Sequence, residues 1–151
     1  MTLAAFQKLV TENAEWFRGV YPESGDSLEA AQRALGCELP ESMKWLLTQW
    51  GYSDACGIDP LFEVIETTTR CRQNCSIPAR YLVLTDRGDA GVVWIDRGEI
   101  DANGESPVYW GASYNFLRLG TGEPLDADVD RFEDFPAWVQ FRLEEVRELN
   151  S

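Results

Sequence analysis

The residues Leu35–Gly51, LGCELPESMKWLLTQWG, carry the signals of a corner between two helices. Gly36 is typical of the left-handed residue that follows the end of a helix. Pro40 is typical of the first helical position, because a missing amide hydrogen costs nothing there. Apolar residues then recur at the spacing of a buried helix face, at Met43, Leu46, Leu47 and Trp50. Gly51 is expected to end this second helix.

A first helix is predicted directly before the corner, roughly from Leu28 to Leu35. Its apolar residues share one face at helical spacing: Leu28, Ala31 and Leu35. Asp26 and Glu29 have the three-residue spacing of a capping pair at its start. Both helices therefore present apolar stripes, which a sheet or a third helix has to cover.

Amphipathic helices are also predicted near both ends of the chain. One runs roughly from Leu3 to Phe17, with a core face of Leu3, Phe6, Val10 and Phe17. The other has a buried stripe of Val139, Leu143, Val146 and Leu149. Tyr52–Pro60 is predicted as a polar loop, and Leu61–Thr69 has enough β-branched residues for either a strand or a short helix.

The clearest strand signal is a hairpin with arms Tyr81–Thr85 and Gly91–Asp96. Both arms are apolar at nearly every position, so both faces of the hairpin should be covered. Pro107–Trp110 and Asn115–Leu119 are further candidate strands, and Gly120–Asp130 is a predicted loop.

The order of these elements, helices followed by strands and then a helix, indicates the α+β class. A chain of 151 residues is the length of one domain. We therefore expect a single domain over residues 1–151. Its central, mostly antiparallel sheet should be packed by the N-terminal helices and a C-terminal helix.

The chain is strongly acidic, with 26 acids against 13 bases and a net charge of −13. This charge argues against nucleic acid as a partner, because affinity for the backbone comes from neutralising phosphates. It also disfavours an anionic membrane surface, whereas basic proteins are attracted at long range. No apolar run reaches the length of a membrane span, and no signal peptide is recognisable, so we expect a cytoplasmic protein with reduced thiols.

Residues that would mark an enzyme or a metal site are missing or incomplete. The chain has no histidine, no phosphate-binding loop and no dinucleotide fingerprint. Cys71 and Cys75 are one residue wider apart than a zinc knuckle, and Cys37 and Cys56 form no second pair. The acids of Asp126–Asp130 resemble the opening of a calcium loop but lack its later glycine and glutamate. We therefore expect no cofactor, no metal and no catalysis, although a carboxylate pair that hydrolyses glycosides stays an alternative.

Several of these segments together resemble the SUKH superfamily, which includes a fungal cell-wall assembly regulator and many bacterial immunity proteins. The similar segments are Glu29–Pro40 with the following helix, Ile77–Leu84, Gly88–Gly91, Val93–Asp96 and Phe132–Phe135. They span about Asp26 to Glu144. The chain departs from the family pattern at Tyr52–Ser76 and at Pro136.

The resemblance implies a protein-binding domain, and for a bacterial domain of this size it implies an immunity protein that neutralises a cognate toxin. A toxin that attacks nucleic acid needs a basic surface, which an acidic partner complements. We expect a monomer or a weak homodimer. A regulatory scaffold domain, as the fungal member implies, is the alternative, and the acidity could also serve only solubility.

The predicted contact residues are acids at loops and strand ends together with two aromatic residues. They are Asp54, Asp59, Asp86, Asp89, Asp96, Glu99, Asp101, Trp110 and Tyr114. Aromatic residues placed in loops among acids are typical of interface anchors. The alternative is that the aspartates only hydrogen-bond their own turns and that the aromatics belong to the core.

Overall fold

The computed structural model describes all residues, Met1–Ser151, and contains seven α-helices and one four-stranded sheet. The helices are α1 Leu3–Glu12, α2 Ala14–Phe17, α3 Gly25–Leu35, α4 Glu41–Gln49, α5 Leu61–Asn74, α6 Ser113–Thr121 and α7 Phe135–Leu149. The strands are β1 Tyr81–Asp86, β2 Val92–Asp96, β3 Val108–Gly111 and β4 Asp130–Phe132. The predicted α+β class is confirmed. None of the helices is both long and apolar enough to cross a membrane.

The strands follow one another across the sheet in chain order, and every neighbouring pair is antiparallel. Val92 pairs with Gly111, so the β1–β2 turn and the last residue of β3 lie at the same end of the sheet along the strand direction. We call this the hairpin end. Ile95 pairs with Val108, so the loop of residues 97–107 lies at the opposite end of the sheet, which we call the long-loop end. The residues of the hairpin end and those of the long-loop end are therefore separated by the length of the strands.

Both faces of the sheet are buried, as the apolar runs of the hairpin predicted. Leu82, Leu84, Val93, Ile95 and Val108 pack with the helices of the main core. Val83, Val92 and Trp94 point to the other face, where Phe116 of α6 and Ile77 cover them. The alternation follows from the two-residue period of a strand, and it confirms that neither face is open to solvent.

The predicted corner between α3 and α4 is confirmed in its packing. The apolar residues of both stripes are buried, at Leu28, Ala31, Leu35, Met43, Leu46 and Leu47. Gly36 has a φ of +76° and its N–H closes α3 on Gln32. Trp50 is different, because it follows the last residue of α4 and is only half-buried against the core.

Both helix starts at this corner are capped differently from the prediction. Ser24 and Ser27 form the capping box of α3 in place of Asp26 and Glu29. Pro40 precedes the first residue of α4 and provides no side-chain cap. The buried Glu105 fills that role from the long-loop end, since its carboxylate accepts hydrogen bonds from Ser42 Oγ at 2.7 Å and from Ser42 N at 3.3 Å.

The predicted terminal helices are confirmed in type, but the first is divided in two and each predicted buried face includes one exposed residue. Residues Leu3–Phe17 form two helices because Asn13 interrupts them, with its side-chain amide donating to the carbonyl of Leu9. Leu3 is 38% exposed and Leu149 is 78% exposed, so neither belongs to the core. The other residues of the two predicted faces are buried.

Three further segments differ from the prediction or resolve it. Leu61–Asn74 is a helix, which settles the alternative left open for Leu61–Thr69. Asn115–Leu119 lies in α6 and is not a strand, since a short apolar run fits either period and Phe116 here packs as a helical side chain on the sheet. β4 lies at the end of a predicted loop, because its pairing with β3 supplies what its sequence does not show.

Candidate functional site

The nine predicted contact residues do not form one surface. Five lie at the hairpin end or on the segment packed against it, namely Asp54, Asp59, Asp86, Asp89 and Trp110. Tyr114 follows in α6, close to the end of β3. Asp96, Glu99 and Asp101 lie at the long-loop end, separated from the others by the length of β2, roughly 15 Å at about 3.3 Å per residue.

Asp96 is not a free loop acid, contrary to the prediction. It is 4% exposed, and its carboxylate accepts two hydrogen bonds from Arg80, at 2.8 and 2.6 Å. It also accepts from the backbone N–H of Gly98 at 2.9 Å. The bond to Asp96 raises the pKa of the Arg80 guanidinium. Asp96 therefore fixes the end of β2 and presents almost no surface to a partner.

The two other acids of the long-loop end are exposed and already engaged in contacts. Asp101 accepts from the N–H groups of Asn103 and Glu105, at 2.8 and 3.0 Å, as expected for an acid that stabilises its own turn. Glu99 lies 3.4 Å from Arg131 in an exposed ion pair. This end fits the alternative in which acids serve local structure.

The two predicted aromatic anchors are also partly engaged. Trp110 is half-buried, and its indole N–H donates to the carbonyl of Ala90 at 2.7 Å. Its ring packs edge-on against Trp138 and Phe141, with the Arg87 guanidinium 4.6 Å from its centre. Tyr114 lies in a helix and not in the predicted loop, 49% exposed, with its hydroxyl donating to Asp126 at 2.5 Å.

A polar cavity of about 210 Å³ opens at the hairpin end. Residues from three elements line it: Ser53, Asp54, Gly57, Ile58, Asp59, Thr85, Arg87, Trp138 and Arg142. Its rear wall joins Gly57 to α7, because the indole N–H of Trp138 donates to the Gly57 carbonyl at 2.7 Å. The segment that departs from the family pattern is thus anchored to the C-terminal helix.

The arginines of the cavity are held by one carboxylate. Arg87 and Arg142 lie 3.3 and 3.5 Å from the same oxygen of Glu145. Arg87 is further restrained over the ring of Trp110, a favourable arrangement for a cation. Glu145 therefore holds both guanidinium groups in the cavity wall, and its single charge offsets one of their two.

The acids of the hairpin end have no such partner. Asp54, Asp86 and Asp89 are exposed, and Asp59 is half-buried. None of the four takes part in a salt bridge. Asp86 accepts a hydrogen bond from the N–H of Gly88 in its own turn, at 2.9 Å. The hairpin end thus combines four carboxylates that lack a basic partner with a half-exposed aromatic cluster.

Asp59 has the most unusual environment of these acids. Burial raises the pKa of its carboxyl, against the influence of the neighbouring Thr85 hydroxyl. The negative charges of Glu63 and Asp86 raise the pKa further. Asp59 is therefore a partly desolvated carboxylate that has like charges among its neighbours and no ion-pair partner.

Metal ligands and reactive cysteines are the other features of the structure that bear on its chemistry. No group of three or more Cys, Asp or Glu side chains is arranged to hold a metal ion. The four cysteines are free thiols, and burial raises the pKa of Cys37, Cys56 and Cys71, which makes them poor nucleophiles.

Sequence reasoning missed the residues that shape the cavity. Gly57, Trp138, Arg142 and Glu145 carry no motif, and only folding brings α7 against the loop of residues 53–59. The one sequence signal that pointed to this region was the departure of Tyr52–Ser76 from the SUKH pattern. Neither the comparison with protein-family models nor that with curated proteins finds a match for this chain, so the SUKH resemblance stays a prediction.

Proposed function

We propose that this chain is a cytoplasmic immunity protein of the SUKH type, a non-enzymatic domain that binds and neutralises a cognate basic toxin. The observation that carries the proposal is the group of unpaired acids at the hairpin end, Asp54, Asp59, Asp86 and Asp89. Carboxylates that have no basic partner within the protein gain most when a basic surface covers them.

The composition of the hairpin end suits a protein contact. Phe141 is 39% exposed beside the half-buried ring of Trp110, which offers apolar area next to charge. Interfaces combine such aromatic anchors with a charged rim. The net charge of −13 supports fast association, since electrostatic steering can raise association rates to about 10⁸–10⁹ M⁻¹s⁻¹ at low salt.

A nuclease is the kind of toxin that this charge fits best. A protein that acts on nucleic acid carries Lys and Arg where the phosphates bind. An acidic domain seated on that surface blocks access of the substrate without any chemistry of its own. The mechanism we propose is therefore occlusion, with no cofactor and no metal.

Two charge-matched triple variants test the proposal. Asp54→Asn, Asp86→Asn and Asp89→Asn remove three charges from the hairpin end. Glu99→Gln, Asp101→Asn and Glu133→Gln remove three from the long-loop end, where Glu133 lines a pocket together with Glu99 and Asp101. The binding partner to use is the product of the neighbouring gene, because an immunity gene is expected beside its toxin gene. Association and dissociation rates are measured against salt, together with protection of cells that express the partner.

The first triple variant should slow association and weaken protection, and the second should have a much smaller effect. Equal effects of the two triples would mean that only net charge matters and would remove the hairpin end from the interface. Salt-insensitive binding by all variants would reduce the acidity to a solubility feature. No binding by the wild type would favour the regulatory scaffold alternative.

A further inference from the structure

The cavity at the hairpin end has features of a binding pocket that the proposed function does not require. Its volume of about 210 Å³ is that of roughly seven waters at about 30 Å³ each, which is enough for one long side chain. Ser53 Oγ is buried and has no hydrogen-bond partner, although Ser53 lines the cavity. A buried hydroxyl without a partner is costly, so a ligand that reaches it is favoured.

The charges around the cavity select the sign of that ligand. Glu145 already engages Arg87 and Arg142, so neither arginine is left without a carboxylate. Asp59 and Asp54 line the same cavity and have no cation. The two arginines are outnumbered by the carboxylates of Glu145, Asp54 and Asp59, so these groups carry one net negative charge. Glu63 and Asp86 add to the negative potential at Asp59, which favours a positive group there.

We infer that this cavity receives one lysine or arginine side chain of the partner protein, with Asp59 as its counter-ion and Ser53 Oγ as a further acceptor. The inference deepens the proposed function and rests on it only for the identity of the partner. An inserted cation would turn a desolvated, unpaired carboxylate into a charge-assisted hydrogen bond, one of the strong interactions of an interface. Asp59 would then be the central contact, and Asp86 and Asp89 would belong to the rim.

The pocket can be tested without the toxin by using a side-chain analogue. Propylguanidinium chloride is titrated into the ¹⁵N-labelled protein at constant ionic strength, with propylurea as the neutral analogue of the same shape. We expect saturable shifts of the Gly57 and Asp59 amides and of the Trp138 indole N–H with the cation only. Asp59→Asn should weaken this binding by about tenfold or more, as loss of a charged hydrogen bond predicts.

Asp89→Asn is the matched control, because it removes the same charge from an exposed position outside the cavity. It should leave the shifts unchanged. The pocket inference is wrong if the shifts are scattered over the surface or are equally large with propylurea. It is also wrong if Asp59→Asn retains the shifts. A dispersed amide spectrum of Asp59→Asn shows that the variant is folded.

Binding to the toxin separates this inference from the proposed function. If Asp59 pairs with an inserted cation, Asp59→Asn should speed dissociation of the complex, whereas Asp89→Asn should mainly slow association. If the complex of Asp59→Asn dissociates at the wild-type rate, the pocket inference is wrong and the proposed immunity function is unaffected. A cavity that binds the guanidinium probe while the neighbouring product fails to bind would overturn the immunity function alone.

Discussion

Gly57 is the position at which one added methyl group should disturb both the fold and the cavity. Its φ is +73°, in the left-handed region that side-chain-bearing residues rarely adopt. A Cβ at this position would lie 2.5 Å from Nε1 and 3.0 Å from Cδ1 of Trp138. Trp138 is 1% exposed, so its ring cannot move aside into solvent. We therefore predict that Gly57→Ala is strongly destabilising.

The size of the effect follows from three contributions. Left-handed backbone costs alanine about 1–2 kcal/mol, partly offset by about 0.4–1 kcal/mol from the stiffer unfolded chain. Displacing a packed ring costs about 1–3 kcal/mol, and weakening the hydrogen bond from Trp138 to the Gly57 carbonyl adds about 1 kcal/mol. The sum is about 2–6 kcal/mol, or roughly 10 °C in Tm at the middle of that range for a chain of this length. Urea unfolding followed by far-ultraviolet circular dichroism measures it.

Two other glycines provide matched controls. Gly36 has a φ of +76°, but a Cβ added there would have no neighbour within 4 Å, so Gly36→Ala isolates the backbone contribution at about 1 kcal/mol. Gly25 has neither a positive φ nor a neighbour within 4 Å, so Gly25→Ala should cost nothing. A Gly57→Ala loss no larger than that of Gly36→Ala would refute the predicted clash with Trp138.

Two further predictions concern stability. Glu105→Ala should cost about 2–4 kcal/mol in urea unfolding, because it removes the buried cap of α4 and leaves Ser42 without a partner. Burial raises the pKa of Glu105, so the folded state holds this proton more tightly than the unfolded chain. Stability should therefore fall as pH rises through the raised pKa, and Glu105→Gln, with no proton to lose there, should flatten that part of the profile. Trp50→Ala should cost about 1–3 kcal/mol, less than truncating the fully buried Leu46; equal losses would show that Trp50 belongs to the core.

Local sequence patterns predicted the corner and the hairpin because their signals are contained within each segment. The α4 stripe and the apolar arms of β1 and β2 need no distant residue to be recognised. The prediction for Asn115–Leu119 was wrong for the opposite reason, since five residues are too few to separate the period of a strand from that of a helix. β4 has three residues, and only its pairing with β3 identifies it.

The sequence predicted which acidic residues lie near the candidate site. It did not predict which of their carboxylates form ion pairs. Asp59 lies in the loop before α5 and Asp96 is the last residue of β2, and neither sequence context shows whether the carboxylate is paired. Asp96 is neutralised by Arg80, sixteen positions away, whereas no base reaches Asp59. The cavity wall depends on Gly57 and Trp138, which are 81 positions apart and carry no common pattern. Sequence reasoning found the charges, and the fold decides which of them remain unpaired.

The contrast between these carboxylates bears on what the hairpin end is for. Asp96 is the more deeply buried, and it is compensated by the guanidinium of Arg80. Asp59 is partly desolvated among like charges, an arrangement that lowers stability at neutral pH, because a raised carboxyl pKa means that ionisation is less favourable in the folded state than in the unfolded chain. Asp59→Asn should therefore leave the free energy of unfolding at pH 7 unchanged or raised. A cationic side chain in the cavity would remove the same cost, so a binding role and a stabilising role make opposite predictions for this one substitution.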